Sequence, residues 1–324
     1  IEALPSILTS IPSYEKPFVM LPQALGPMEG LPKILNHEGY VTSFFCGTEK
    51  NSMFFGAFTV MAGIQTFYAL EDYEKECVVN KNTVEPFWGV YDMPFYQFMA
   101  KKMNQMPQPF CVSVFNLSSH HPYTLPSDYA DKMPKGYTLV QPCVAYTDLA
   151  IRTFFESVEK EPWFKNTIFV FVADHVSPEI YAPQTWIPKG HTAIFDFIYT
   201  PDKVLHGTNA QVTQQLDIMP TLLGLIGYRK PYFAFGRDVF NEPERFPMAT
   251  TFINEVYQCL TDSISIYFND KKIISAYNAT DVFQKNNLVK QHSKNQQKAI
   301  FQLKALLQSY YFHVHEKKYI VPKH

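Results

Sequence analysis

The sequence lacks the features that mark several large classes of protein. Charged side chains make up only 18% of its 324 residues, the net charge is −2, and neither a basic stripe nor an acidic block is present. A basic stripe is the usual footprint of nucleic-acid binding, so we expect no nucleic-acid partner. No apolar run approaches the roughly 20 residues of a membrane-spanning helix, and no secretory leader is visible.

Cysteine is scarce and scattered along the chain. The five cysteines form neither a C-x-x-C pair nor a zinc-ribbon spacing, and their odd number favours free thiols, with one disulfide left open. A G-x-S-x-G elbow, a P-loop, the Rossmann glycine signature and an H-E-x-x-H helix are also missing. The chain therefore carries none of the short motifs of serine hydrolases, nucleotide-binding folds or zinc proteases.

The abundant residues indicate a packed globular protein. Aromatic side chains make up 16% of the chain, and proline outnumbers glycine by 24 to 13, which is typical of a large core with many fixed loops. A chain of this length can bury one large α/β domain or two smaller ones.

An apolar, β-rich run, Thr167–Ala173, ends at Asp174 and His175. Ligand sites in open α/β sheets collect at the carboxyl ends of strands, and a carboxylate beside an imidazole suits Zn²⁺ or Mn²⁺. The same pair also suits a helix cap followed by a surface histidine. As metal ligands the two form half a site, because such ions take about four ligands. The others must come from elsewhere in the chain or from upstream of it.

A second predicted strand is expected to bring further histidines to the same sheet edge as Asp174 and His175. Phe110–Leu117 reads as a strand that runs into His120 and His121, and the strongest helical pattern, Gln141–Lys160, leads from there to the Asp174 strand. This order is a βαβ crossover, so we expect a parallel pair whose carboxyl ends share one edge. Histidines at that edge can bind an anionic oxygen or move a proton, although two adjacent histidines taken alone are more often an exposed loop pair.

The rest of the pattern divides the chain. Short β-branched segments and a basic helix, Gln296–Phe312, predict a small antiparallel sheet plus helix over Ala249–His324. We therefore expect an α/β domain over residues 1–248 and a small α+β lobe over 249–324. Glu71–Val84 is polar and predicted to be irregular. His191, between Gly190 and a predicted strand, is by itself typical of a turn.

Local signals also predict four smaller features. Leu31–His37 is expected to be a short helix, and Thr250–Tyr257 a short strand. Asp92, two residues before Pro94, is expected to be a helix N-cap, and Asp217 is expected to cap a helix with Pro220 in its first turn.

Four segments, in this order and spacing, resemble a known family: NLSSHHPYTLP, YTDLAIRTFFESV, PWFKNTIFVFVADH and QLDIMPTLLGLIG. They are similar to the extracellular catalytic domain of lipoteichoic acid synthase-type enzymes, in the sulfatase branch of the alkaline phosphatase superfamily, and most of all to Gram-negative variants. The resemblance implies a three-layer αβα sandwich with a mostly parallel sheet, plus a small carboxy-terminal antiparallel sheet and helix.

The resemblance also implies a chemistry. Such enzymes hold one divalent ion, Mn²⁺ for preference with Zn²⁺ or Mg²⁺ as alternatives, and form a covalent intermediate on a Thr or Ser. The expected substrate is a lipid- or glycan-linked phosphoester, or a sulfate ester, and the expected reaction is phosphoglycerol- or phosphoethanolamine-type transfer. A phosphodiesterase, a sulfuric ester hydrolase and a non-catalytic envelope protein with the same fold are the alternatives. Upstream helices would anchor the protein in the inner membrane, with this domain on the periplasmic or extracellular face.

Site residues carry over by position. Asp174 and His175 correspond to metal ligands, and His120 corresponds to a histidine that contacts the phosphoryl group. His191 lies near the place of a second such histidine. The residues expected to face the substrate are His121, Ser119, Asn51, Ser52 and Met53.

Three differences from the family pattern limit the transfer of its site residues to this sequence. The family nucleophile and another acidic metal ligand would lie upstream of Ile1. The sequence also begins in what reads as the middle of a structural element. We therefore expect a fragment that is inactive alone. Phe55 and Met53 stand where glycerol-phosphate synthases place an Arg and a Trp. In the string Ser10–Tyr14, Tyr14 replaces the Arg that a formylglycine sulfatase requires.

Overall fold

The strands form a parallel sheet, a four-stranded antiparallel sheet and two shorter pairs. The computed structural model describes residues 2–179, 192–242, 245 and 247–321. Its strands are Val41–Cys46 (β1), Thr66–Tyr68 (β2), Val84–Glu85 (β3), Gly89–Val90 (β4), Phe110–Phe115 (β5), Phe169–Val172 (β6), Asp196–Tyr199 (β7), Met248–Ile253 (β8), Val256–Thr261 (β9), Ile264–Phe268 (β10) and Ile273–Asn278 (β11).

Helices cover the sheets. They are Ala3–Thr9 (α1), Leu31–His37 (α2), Phe55–Met61 (α3), Leu70–Glu76 (α4), Asp92–Met103 (α5), Val140–Val158 (α6), Ile218–Leu225 (α7) and Lys294–Glu316 (α8). None of the helices in the described ranges is long and apolar enough to cross a membrane.

The parallel sheet has the order β2-β1-β5 and is covered on both faces. Successive residues of β1 point to opposite faces, so Phe45 packs with helices α5 and α6, while Phe44 packs with α1 and α3. Both rings are fully buried. This layered arrangement confirms the predicted mixed α/β class with a parallel sheet.

The strands β5 and β6 do not pair with each other. β5 pairs with β1 in parallel, and β6 pairs antiparallel with β7, from Phe169 opposite Tyr199 to Val172 opposite Asp196. The predicted direct pairing was therefore wrong, because a crossover helix fixes the direction of two strands but not their adjacency. Both strands still pack on the α5–α6 layer, through Phe110, Val112 and Phe169.

The carboxy-terminal sheet has the antiparallel order β11-β10-β9-β8, and helix α8 packs on it. Its core also takes in residues from the start of the chain, including Ile11, Tyr14 and Phe18. The predicted sheet plus helix is confirmed.

Two local predictions in these regions were wrong. One strand was expected over Thr250–Tyr257, but Asn254 and Glu255 take positive φ angles of 51° and 61° and turn the chain into the β8–β9 hairpin. The segment predicted to be irregular contains α4, whose first turn is held by the Asp72 carboxylate accepting from the Ala69 amide.

Candidate functional site

Asp174 and His175 follow β6 directly, as predicted, and their side chains lie together. Asp174 Oδ1 accepts from the His175 amide at 2.9 Å, and Asp174 Oδ2 lies 3.3 Å from His175 Nε2. His175 Nδ1 lies 2.7 Å from the Val176 carbonyl oxygen. Because a carbonyl oxygen can only accept, Nδ1 carries a proton, and in the neutral ring the lone pair is on Nε2.

This donor set fits one half of a metal centre. An unprotonated Nε2 and a carboxylate oxygen are both acceptors, so at 3.3 Å they need a proton or a cation between them. Two ligands of one Zn²⁺-sized ion at tetrahedral angles lie about 3.4 Å apart, which matches this pair. The described ranges contain no group of three or more His, Cys, Asp or Glu side chains able to hold an ion.

Gln215 holds the end of β6 in place. Its side-chain amide donates to the Ala173 and Asp174 carbonyl oxygens, at 2.9 Å each. Gln215 itself lies in the short turn that leads into α7, where Asp217 occupies the N-cap position as predicted. The backbone that carries the ligand pair is therefore fixed by the turn before α7.

The histidine loop after β5 is organised by the buried carboxylate of Asp92. Asp92 Oδ1 accepts from the amides of Leu117 and Ser118 at 2.9 and 3.2 Å, and Oδ2 accepts from the Thr147 hydroxyl at 2.7 Å. The Asp92 amide donates back to Ser118 Oγ at 2.8 Å. The sequence predicted Asp92 as a helix cap, but Tyr91 is the N-cap of α5, and the Asp92 side chain fixes this loop.

His120 lies half-buried against Trp88. The two ring centroids are 4.2 Å apart, in an edge-on arrangement. The His121 carbonyl oxygen accepts from Trp88 Nε1 at 2.6 Å and from His120 Nδ1 at 2.8 Å. The same acceptor argument places a proton on His120 Nδ1 and leaves Nε2 free to accept or hold a second one.

The first turn of α6 connects the two loops. Its Val140 amide donates to the Glu179 carboxylate at 2.8 Å, four residues beyond His175, and Cys143 Sγ lies 3.8 Å from the Thr124 carbonyl oxygen, four residues beyond His120. Burial raises the pKa of the Cys143 thiol to about 11, so it packs as a neutral group. The loops that follow β5 and β6 therefore both reach the same end of this helix.

The other predicted site residues differ in their exposure and contacts. Asn51 is exposed, Ser52 Oγ accepts from the Thr48 hydroxyl at 3.1 Å, and Met53 takes a φ of 47° in the loop after β1. This loop leaves the same sheet edge as the histidine loop, since β1 and β5 are parallel neighbours. Ser119 is half-buried and His121 is exposed.

His191 lies outside the described residues. The cysteines Cys46, Cys77, Cys111, Cys143 and Cys259 are all free, which confirms the expectation of free thiols.

Sequence reasoning missed Asp92, Trp88 and Gln215 as parts of the site. Each acts on a partner far along the chain: Asp92 on residues 25 and 26 positions away, and Gln215 on residues 41 and 42 away. Their neighbours in the sequence give no signal of those contacts. Of the three, only Gln215 lies in one of the four segments that carry the family resemblance, QLDIMPTLLGLIG.

Curated proteins with similar sequences include lipoteichoic acid synthases. Lipoteichoic acid synthase 2 of Bacillus subtilis is 22% identical over 256 residues, which cover 70% of this chain and 37% of that protein. The chain thus spans little more than a third of that curated relative.

Solved structures show the same fold. An alkaline phosphatase superfamily protein from Vibrio parahaemolyticus matches with a TM-score of 0.78 and 23% identity, covering 95% of this chain and 76% of that one. A lipoteichoic acid synthase from Listeria monocytogenes matches with a TM-score of 0.76 and 19% identity, covering 97% and 79%. These likenesses confirm the predicted alkaline phosphatase-type fold.

The sulfatase family model matches residues 1–228, which include both strands of the candidate site and its two histidine-bearing loops. The chain belongs to the sulfatase family.

Proposed function

We propose that this chain is part of a metal-dependent phosphoester transferase of the bacterial envelope, moving a phosphoglycerol- or phosphoethanolamine-type group. The observation that carries the proposal is the Asp174–His175 pair, with two ligand atoms 3.3 Å apart in the loop that follows β6. Family membership and a relative named as a lipoteichoic acid synthase support transfer as the reaction type.

Each residue has a definite role in this proposal. Asp174 and His175 would hold one divalent ion, with Mn²⁺ preferred over Zn²⁺ or Mg²⁺. Such an ion polarises the ester oxygens when it is bound. His120 Nε2 would contact the phosphoryl group and hold or release a proton at the attacking or leaving oxygen. Asp92 and Trp88 would keep this imidazole in position.

Several further residues would face the substrate. His191 would be a second phosphoryl-facing histidine, and the headgroup would meet His121, Ser119, Asn51, Ser52 and Met53. The substrate itself would be a lipid- or glycan-linked phosphoester.

The remaining parts of the site would come from polypeptide outside residues 1–324. A Thr or Ser nucleophile and another acidic ligand would complete it, carried on a strand between β5 and β6. Two observations support this arrangement. β5 and β6 each have one strand partner in the described ranges, although both pack on the α5–α6 layer, and the two described ligands fill only half of a metal site. Membrane helices in that polypeptide would anchor residues 1–248 and the lobe 249–324 at the outer face of the inner membrane.

Hydrolysis is the second candidate function, and one observation favours it. The family model that matches the chain is the sulfatase model, so water could replace an alcohol as acceptor. Within this alternative a phosphodiesterase fits better than a formylglycine sulfatase, because Tyr14 is buried where the nucleophile motif requires Arg. Product analysis of the native protein, with and without an alcohol acceptor, separates transfer from hydrolysis.

Activity of residues 1–324 tests the proposed completion of the site. With Mn²⁺ and a chromogenic phosphodiester we expect no turnover above background, because the nucleophile is not among these residues. Robust turnover that Asp174→Asn abolishes would contradict the proposed division of the site. In the native protein we expect His120→Ala to lower turnover by about 10²-fold or more at unchanged thermal stability, with exposed His206→Ala as the matched control.

A further inference from the structure

A small chamber lies beside His120, and the candidate site described above does not use it. It has room for one group the size of a water molecule, about 10 Å³, and is partly open. Its walls include Glu85, Trp88, Tyr91, Ser118 and His120. The chamber therefore adjoins the imidazole that is proposed to contact the phosphoryl group.

Glu85 is the unusual member of this wall. Its side chain is 94% buried, since only 6% of the residue is exposed. Glu85 Oε2 accepts from the amides of Phe87 and Trp88 at 2.8 and 2.7 Å, which explains one oxygen. Glu85 Oε1 is buried without a hydrogen-bond partner in the described part of the chain. No Lys, Arg or His in that part forms an ion pair with this carboxylate.

A buried carboxylate without a counter-charge is unfavourable, so a cationic ligand would relieve it. The surrounding groups suit such a ligand, because the Trp88 and Tyr91 rings can face a cation and Ser118 Oγ has a lone pair to accept from it. Burial first, and then the nearby Glu85 charge, raise the pKa of Tyr91, while a hydrogen bond to Thr124 opposes the rise. The negative field of Glu85 therefore reaches the chamber wall.

The size and donor set of the chamber narrow the class of cation. A primary ammonium is about as large as water and offers three donors, whereas a trimethylammonium group is too large. A hard divalent cation is less suitable, since such ions take six or more oxygen ligands and Glu85 has a single free oxygen.

We propose that this chamber binds the primary ammonium group of an aminoalkyl phosphoester, so that Glu85 selects a phosphoethanolamine-type headgroup over a glycerol-type one. This proposal rests on the proposed function, because it uses His120 as the phosphoryl contact. A linker of about two carbons between nitrogen and the ester oxygen suits two groups that both touch this one imidazole ring.

The test compares three probes on residues 1–324: O-phosphoethanolamine, glycerol 3-phosphate and ethylammonium. Calorimetry measures affinity, and the Trp88 indole N–H resonance reports occupancy of the chamber. We expect O-phosphoethanolamine to bind at least about tenfold more tightly than glycerol 3-phosphate, and Glu85→Gln to remove the difference. The amide of Gln can still accept from the Phe87 and Trp88 amides, and exposed Glu156→Gln on α6 is the matched control.

The outcomes separate this proposal from the proposed function. Equal affinities for the two phosphates, a preference that survives Glu85→Gln, or an indole resonance that ethylammonium does not move would each overturn the ammonium site. If ethylammonium shifts the indole resonance while neither phosphate perturbs His120, the ammonium site stands and the phosphoester function fails. If Glu85→Gln does not fold, the comparison of the probes on the unmodified chain still decides.

Discussion

The carboxy-terminal sheet differs from the two sheets that contain β5 and β6, next to the candidate site, in how completely its strands are enclosed. Every residue of β10 is buried, and β9 and β10 each have a strand partner on both sides. In contrast, β5 and β6 consist almost entirely of half-exposed residues, and each pairs on one side within the described ranges. The difference indicates that the carboxy-terminal sheet is completely packed, whereas the candidate site lies next to strands that are incompletely covered.

This difference affects what each region can contribute. Burial of apolar side chains is the main source of stability, at about 25 cal/mol per Å². The enclosed sheet, together with Tyr14, Phe18 and helix α8, therefore stabilises the chain. The strands β5 and β6 gain less stability from burial of their own residues. Their unpaired edges and the exposed ligand pair leave room for further polypeptide, an ion and substrate.

The largest expected effect lies in the enclosed region. Leu303 of α8 is fully buried, so Leu303→Ala should lower the free energy of unfolding by about 3–5 kcal/mol. Val114→Ala on β5, where the side chain is 39% exposed, should cost less than about 1 kcal/mol. Urea denaturation measures both, with exposed Leu139→Ala as the control. Equal losses at the two sites would remove the contrast between the sheets.

The second expected effect concerns the buried Asp92 carboxylate, which holds the loop after β5. Asp92→Ala leaves the buried amides of Leu117 and Ser118 without their acceptor, which should cost about 2–4 kcal/mol. Hydrogen exchange at these two amides should accelerate in the variant. The control is Asp148→Ala, which removes only an exposed 3.6 Å pair with Arg152 and should change stability by less than about 0.5 kcal/mol. Unchanged exchange in Asp92→Ala would show that the loop does not depend on this carboxylate.

A third effect depends on pH. Burial raises the pKa of Asp217 to about 6, although hydrogen bonds from Arg237 and Gln214 oppose the rise. A carboxyl whose folded pKa is raised stabilises the folded state at low pH, and this contribution is lost as pH rises through the folded pKa. From pH 4 to pH 7 the loss should be about 2 kcal/mol.

The check is to measure unfolding of the unmodified chain and of Asp217→Asn at both pH values. The stability of the unmodified chain relative to the variant should fall by about that amount between pH 4 and pH 7. A relative stability that rises with pH would mean that the Asp217 carboxylate is held in its charged form in the folded chain.

The smallest effect concerns the start of α8. Ser293 accepts from the Gln296 amide as the N-cap, so Ser293→Ala should cost about 1 kcal/mol. Exposed Ser309→Ala within the same helix should be neutral or slightly stabilising, because Ala favours helix. A similar loss in both variants would argue against a specific capping contribution.

Prediction from the sequence succeeded where a local pattern carries the structure. The apolar run before Asp174 and His175 predicted the strand and its terminal pair, and Leu31–His37 was predicted with the bounds that α2 has. Prediction failed where contacts with residues far along the chain determine the local structure. Helix α4 has a polar sequence without an apolar period and begins with a capping carboxylate, Asp72, that also pairs with Lys50 at 2.8 Å.

The candidate site shows the same division. Asp174 and His175 are adjacent in the sequence, so their proximity in the fold could be predicted. The functions of Asp92 and Gln215 could not, because their partners are brought to them by the packing of α5 and α7 against strand ends far along the chain. The separate pairing of β5 and β6 depends on strand order, which no local pattern encodes.

The most direct test of the central claim is a titration of residues 1–324 with Mn²⁺, followed by paramagnetic broadening of the histidine ring resonances. If Asp174 and His175 form half of a metal site, His175 should broaden selectively, with a dissociation constant in roughly the millimolar range for two ligands. Asp174→Asn should remove this selectivity. Submicromolar binding, or broadening centred on other histidines and unchanged in Asp174→Asn, would contradict the claim.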